Sequence, residues 1–249
     1  MTDFRAWASR VPAGEGRIVV EPGPISTIRI DHAATRNALD PAMMLALADV
    51  ADAVRGARVL VITGANGAFC SGGNLGAVRE HLAVPGAGAA FGAFMDAAVG
   101  SLTELDAVVI AAVDGAALGG GAELAIAADF VVGAPTARIG FVHARLGVSP
   151  GFGGGRRLLD RVGRRVATQV LTFARTYDAP AALALGLFDE VHAAPFERAM
   201  DLANELLQLP EAALRGARRV ARGGDERAVF ADLWGAPEHH AALRPRSGR

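Results

Sequence analysis

Ala107-Val108-Val109-Ile110-Ala111-Ala112-Val113 leads into Gly115-Ala116-Ala117-Leu118-Gly119-Gly120-Gly121-Ala122-Glu123-Leu124. The first run is β-branched, apolar and uncharged, the pattern of a buried strand. The residues after the glycines are rich in Ala and Leu and read as a helix. A strand therefore meets a helix at three consecutive glycines. Glycine permits close approach to the backbone, and the first turn of a helix carries unpaired N–H groups and a partial positive charge. Such a junction suits an oxyanion, and Glu123 stands one turn inside it. Taken alone, Gly-Gly-Gly is equally a tight turn that packs a helix on a sheet.

A second junction of the same kind lies upstream, where the buried strand Arg58-Val59-Leu60-Val61-Ile62-Thr63 opens into Ala68-Phe69-Cys70-Ser71-Gly72-Gly73-Asn74-Leu75. Before it, Arg17–Glu21 and Ile25–Asp31 flank Pro22-Gly23-Pro24 as a hairpin. Asp40 caps a helix that has Pro41 at its first position and runs to about Arg55. Residues 1–16 show no period and are expected to be a loose lead-in. A helix from about Ala89 to Leu105 connects the two junctions. Short strands follow at 129–133 and 137–141, then a loop at Pro150-Gly151-Phe152-Gly153-Gly154-Gly155, read as a pocket wall. Beyond Arg156 the pattern is mostly helical. No linker separates a second domain: residues 1–194 read as the α/β core and residues 195–249 as a helical C-terminal region. Phe230, Leu233 and Trp234 are expected to be exposed there.

The chain has 249 residues, 51% of them hydrophobic, enough for a large core. A formal net charge of -1 excludes a general pull toward nucleic acid or an anionic membrane and favours a small ligand. The basic series Arg215, Arg218, Arg219, Arg222 and Arg227 reads as a solvated helix face, with RNA binding as the alternative. Cys70 is the single cysteine, which excludes an intramolecular disulfide and any metal site of several thiolates. The N-terminus lacks a secretory pattern and no apolar run spans a bilayer, so a cytoplasmic location is expected. No metal is expected.

The two glycine junctions together resemble the signature of the crotonase superfamily, the enoyl-CoA hydratase/isomerase family. Arg36-Asn37-Ala38-Leu39, Ala128-Asp129 and Leu146-Gly147-Val148-Ser149-Pro150-Gly151 support the resemblance, which covers about residues 17 to 235. It implies an α/β fold, a spiral of repeated β-β-α units with a C-terminal helical trimerisation region. It also implies an acyl-CoA substrate and a homotrimer or a hexamer of two trimers, with coenzyme A carried as part of the substrate and no separate cofactor. Carried over residue by residue, the oxyanion donors are the amides of Gly73 and Gly120. Gly73, Asn74, Leu75 and Gly120, with Arg36 and Ala38, line the coenzyme.

Hydratases of this family pair two glutamates around a water. Glu123 matches the first, but where the second belongs this chain has Ile139-Gly140-Phe141-Val142-His143. With His143 there, the chain looks most like the ethylmalonyl-CoA decarboxylase branch, whose members also accept methylmalonyl-CoA. Decarboxylation needs no activated water, only an oxyanion hole, an apolar pocket and a proton donor. Phe69, Leu118, Phe141 and Val142 are candidates for the pocket, and Glu123 with His143 for an acid/base pair. Facing a substrate carboxylate, an ionised Glu123 would repel it by roughly 4 kcal/mol at about 4 Å. Either Glu123 is protonated and donates the proton, or this repulsion helps expel CO2. The alternatives are a hydratase or isomerase with Glu123 as its main acid/base, and an acyl hydrolase with Cys70 or Ser71 as nucleophile.

Overall fold

The structure, a computed structural model, describes residues 3–82 and 84–244. Its strands are β1 (Arg17–Glu21), β2 (Ile25–Asp31), β3 (Val59–Gly64), β4 (Val108–Val113), β5 (Ala116–Leu118), β6 (Phe130–Gly133), β7 (Arg138–Gly140), β8 (Thr176–Asp178) and β9 (Glu190–Val191). The helices are α1 (Phe4–Ala8), α2 (Pro41–Ala53), α3 (Leu75–Leu82), α4 (Ala87–Thr103), α5 (Gly120–Ala125), α6 (Gly154–Phe173), α7 (Ala179–Ala184), α8 (Pro195–Leu207), α9 (Glu211–Ala221), α10 (Glu226–Leu233) and α11 (Pro237–Ala242). Single 3-10 turns occupy Ala33–Thr35 and Val142–Leu146.

The larger sheet has the order β1-β2-β3-β4-β6-β9. The β1–β2 hairpin is antiparallel and every later pairing in that sheet is parallel. Parallel strands need crossovers, and here each crossover drops a second extended segment into a smaller sheet, β5-β7-β8. Single bridges Leu39↔Gly73 and Cys70↔Ala117 extend that smaller sheet toward α2. The winding of strand, second strand and helix is the β-β-α spiral.

Strand β3 as far as Ile62, and all of β4, are apolar because both of their faces are covered. One face, with Leu60, Ile62, Val109, Ala111 and Val113, joins the main core. The other, with Val59, Val61, Val108, Ile110 and Ala112, is covered by Ala199 and Ala203 of α8 and Leu214 of α9. The C-terminal region thus begins as a layer of the core. Farther on, Phe230 and Trp234 are exposed, whereas Leu233 is half-buried. Gly216 makes room for it, since an added Cβ would lie 2.8 Å from Leu233 Cδ1.

Two local expectations are corrected, and one long helix proves broken. The lead-in contains α1: Asp3 caps it by accepting from the Arg5 and Ala6 amides, and Phe4 is buried against Phe91 and Phe94 of α4. Five residues are too few to show a period, and tertiary burial supplies what periodicity cannot. At the central junction, strand does not run directly into helix, because β5 stands between β4 and Gly119. Finally, α6 is broken at Gly163, whose φ of 71° and ψ of 165° lie outside the helical region.

Candidate active site

The smaller sheet brings the two glycine junctions into contact, and a chain of hydrogen bonds fixes the first of them. Ser71 N donates to Arg36 O, Leu39 N to Gly72 O, and Asn74 N to Leu39 O. Asn37 is fully buried; its amide nitrogen reaches Ala65 O at 2.8 Å and Ala68 O at 2.7 Å, and its oxygen accepts from His32 N at 2.8 Å. Because Leu39 takes the carbonyl before Gly73 and the amide after it, the N–H of Gly73 itself points away from Leu39. No acceptor among the described residues meets it.

At the second junction Gly119, with φ 54° and ψ -123°, adopts a conformation that glycine alone tolerates well and turns the chain into α5. Gly120 is the first residue of that helix, so its N–H is one of the orphan donors of a helix start, and it too has no acceptor among the described residues. The junctions touch backbone to backbone. A Cβ on Gly72 would lie 3.3 Å from Gly120 N, and one on Gly121 would lie 2.0 Å from Cys70 O.

Glu123 is 1% exposed, and donors surround its carboxylate. Oε1 accepts from Gly151 N at 3.2 Å and lies 2.9 Å from His143 Nε2. Oε2 accepts from Phe152 N and Gly154 N, each at 2.8 Å. The glycine-rich stretch before α6, read from sequence as a pocket wall, is thus an anion cradle at a helix N-terminus whose anion is the protein's own Glu123. Gly154 is required there, because an added Cβ would come within 2.3 Å of Glu123 Cγ. Arg157 braces the cradle by donating to Phe152 O and to Asp96 Oδ1. Burial lowers the Arg157 pKa and Asp96 opposes that shift. His143 is buried on the 3-10 turn that follows β7, and its second ring nitrogen, Nδ1, is enclosed without a partner.

The other sequence candidates are distributed as follows. Arg36 is exposed, its guanidinium without a partner among the described residues, Ala38 is buried, and Leu75 is 54% exposed at the start of α3. Asn74 has its N–H on Leu39 O, its carbonyl on Val78 N and its side-chain oxygen on Ala77 N, so no backbone group of it remains free. Of the four expected pocket residues, Phe69 and Phe141 are fully buried in the core, while Leu118 and Val142 are half-buried. The side chains that border the two glycines come from elsewhere. Added Cβ atoms would meet Met44 Cε at 3.3 Å and Phe91 Cζ at 4.0 Å from Gly73, and the Phe152 ring at 2.3 Å from Gly120. Phe91 and Phe152 pack edge to face at 5.7 Å.

Cys70 is fully buried, and burial pushes its thiol pKa up to about 12, which makes it a poor nucleophile. A cleft of about 1000 Å³ lies between α4, α6 and the end of α9, but its Arg156 and Arg157 are paired with Asp96, Arg161 with Asp189 and Arg222 with Asp129. Of the C-terminal basic series, Arg215, Arg218 and Arg222 bond inward, to Asp106, Asp129 and the carbonyls of Thr103 and Leu105. No helix among the described residues is long and apolar enough to cross a membrane.

A sequence profile of the family described as enoyl-CoA hydratase/isomerase matches residues 21–228. The chain belongs to that family. It is similar to ethylmalonyl-CoA decarboxylase of Rattus norvegicus, at 31% identity with 93% of this chain and 83% of the rat protein aligned. It is also similar to mitochondrial methylglutaconyl-CoA hydratase of Mus musculus, at 32% identity over 81% of this chain and 67% of the mouse protein. The crystal structure of enoyl-CoA hydratase from Bacillus anthracis superimposes with a TM-score of 0.83 at 25% identity, covering 91% of this chain and 94% of that one. The chain is therefore a crotonase-superfamily enzyme of acyl-CoA thioesters.

Proposed function

We propose that this enzyme decarboxylates an alkylmalonyl-CoA such as ethylmalonyl-CoA or methylmalonyl-CoA through a thioester enolate. The thioester oxygen sits between Gly73 N–H and Gly120 N–H, the substrate carboxylate leaves as CO2, and the bonding electron pair moves into the enolate. Paired amides in a dry site stabilise that charge, each contributing about 2.7–4 kcal/mol in comparable oxyanion holes. The Glu123–His143 pair supports return of a proton to the α carbon. The exposed Arg36, with Ala38, Asn74 and Leu75, is assigned to the coenzyme.

The observation that carries the decarboxylase reading over hydration is the enclosure of Glu123. Hydration in relatives relies on two carboxylates that share a water. Here three backbone amides and His143 occupy the one carboxylate present, and the second position is an imidazole. The relatedness to ethylmalonyl-CoA decarboxylase supports the same choice, whereas the relatedness to methylglutaconyl-CoA hydratase supports hydration or isomerisation with Glu123 as the main acid/base. Burial of the Cys70 thiol argues against an acyl hydrolase.

We assign the C-terminal helices to a homotrimer or a hexamer of trimers, with exposed Phe230, Trp234 and Leu243 as the apolar surface to be covered. No nucleic acid, membrane, metal or separate cofactor enters the reading, and the single buried thiol suits the cytoplasm. The test is to incubate the protein with ethylmalonyl-CoA, methylmalonyl-CoA and crotonyl-CoA in parallel and to follow the thioesters by mass. Loss of CO2 from the malonyl thioesters, with crotonyl-CoA left unhydrated, is expected. Hydration of crotonyl-CoA without CO2 release would overturn the reading.

A further inference from the structure

We infer that Arg157 of α6 and Asp96 of α4 are positioning residues for Glu123, and that they set the aim of its carboxylate by holding the peptide between Phe152 and Gly153. The inference rests on the reading that places Glu123 in the reaction. The three backbone amides on that carboxylate belong to Gly151, Phe152 and Gly154. Gly153 is skipped. The planar peptide before it separates the two amides that share Oε2, so its orientation decides whether both can face one oxygen. Three of the four residues from Gly151 to Gly154 are glycines, and Gly153 has a φ of 75°, so the local backbone does little to fix that peptide.

Arg157 supplies what the loop lacks. Its Nη1 donates to Phe152 O, the carbonyl of that peptide, and its Nη2 donates to Asp96 Oδ1 at 3.2 Å. A planar guanidinium engaged on two arms fixes a direction as well as a distance. The Arg157 side chain is 12% exposed, so water does little to replace these bonds if they are lost. Burial disfavours the Arg157 cation, and Asp96 is the main influence that restores it. Asp96 also closes on the loop itself, since a Cβ on Gly153 would lie 2.0 Å from Asp96 Oδ1 and 2.5 Å from Arg157 Nη1. Helix α4 thereby reaches the cradle twice, through Asp96 and through Phe91, whose ring packs on that of Phe152 at 5.7 Å.

A double-variant cycle on kcat separates positioning of Glu123 from general support of the fold. With CO2 release from methylmalonyl-CoA followed, Arg157→Met should lower kcat by about 30-fold and leave KM within about twofold, the loss expected when a reacting group is misplaced. In a Glu123→Ala background the same change should cost less than about twofold, because nothing is left to aim. Asp96→Ala should follow the same pattern at about threefold, and it takes over the cycle should Arg157→Met fail to fold. Crystal structures of the two variants should show Phe152 N or Gly154 N withdrawn from Glu123. The inference is overturned if the substitutions slow the Glu123→Ala enzyme as much as the wild type, if Glu123→Ala alone leaves kcat unchanged, or if the cradle contacts survive in the variants. A wild-type protein that releases no CO2 from any alkylmalonyl-CoA would instead overturn the decarboxylase reading, and the contacts in the variant structures would still decide the inference.

Discussion

The two glycine junctions each leave one amide unpaired, but they do so by different physical routes. At Gly120 the N–H is free because it begins a helix, where no preceding turn exists to accept it. At Gly73 the chain is extended and would ordinarily be paired on both sides; its N–H is free because Leu39 bonds only to the residues before and after it. The helical junction frees its amide by local geometry, whereas the extended one depends on a distant segment, residues 36–39, to hold its shape. The two should therefore fail differently when disturbed.

The largest effect is expected at Gly121. A methyl there would lie 2.0 Å from the backbone oxygen of Cys70, so the junctions must separate. Gly121→Ala should abolish turnover and lower the melting temperature. Gly73→Ala is the contrast, because its Cβ would press only lightly on the flexible end of Met44, at 3.3 Å, and reach Phe91 Cζ at an ordinary 4.0 Å, and the N–H remains. It should cost less than about 1.5 kcal/mol in a urea melt. If the two variants behave alike, the distinction between the junctions is lost.

Asn37 comes next. Removing its amide leaves the carbonyls of Ala65 and Ala68 without that donor and His32 N without its acceptor. Only the bond to Ala68 O is fully buried, so at about 1–3 kcal/mol for a buried group left unsatisfied, Asn37→Ala should lose about 1–3 kcal/mol by chemical denaturation. It should also lower kcat/KM by loosening Gly73. Stability lost with kcat/KM intact would detach the first junction from Asn37. The smallest effect is expected at Cys70, which sits between the junctions yet has its thiol pKa raised to about 12 by burial. The thiolate is absent until the pH nears that value, so at pH 8 the folded protein should resist alkylation, and Cys70→Ala should turn over like the wild type.

The same contrast explains what could be read from the sequence. Gly119-Gly120-Gly121 and Glu123 are legible because a helix start is a local event, written in neighbouring residues. The paired junctions and the replacement of a second carboxylate by His143 were legible through family resemblance, and with them the fold. The cage around Glu123 was not, because Gly151, Phe152 and Gly154 reach it only through the tertiary path of the chain, and a glycine-rich loop does not name its ligand. Nor were Met44, Phe91 and Phe152 legible as the border of the two glycines. Phe69 and Phe141, chosen for lying near the motifs, point into the core instead. Asn37, visible in the sequence only as part of the Arg36-Asn37-Ala38-Leu39 motif, works as a staple for the same reason: its partners at Ala65 and Ala68 are far along the chain.

The most direct measurement is a crystal structure with bound butyryl-CoA, which carries the thioester but has no carboxylate to lose. The account predicts its carbonyl oxygen at about 2.7–3.1 Å from both Gly73 N and Gly120 N, with the acyl chain against Phe91 and Phe152. A carbonyl held by other donors, with the two glycine amides directed into separate spaces, would contradict it.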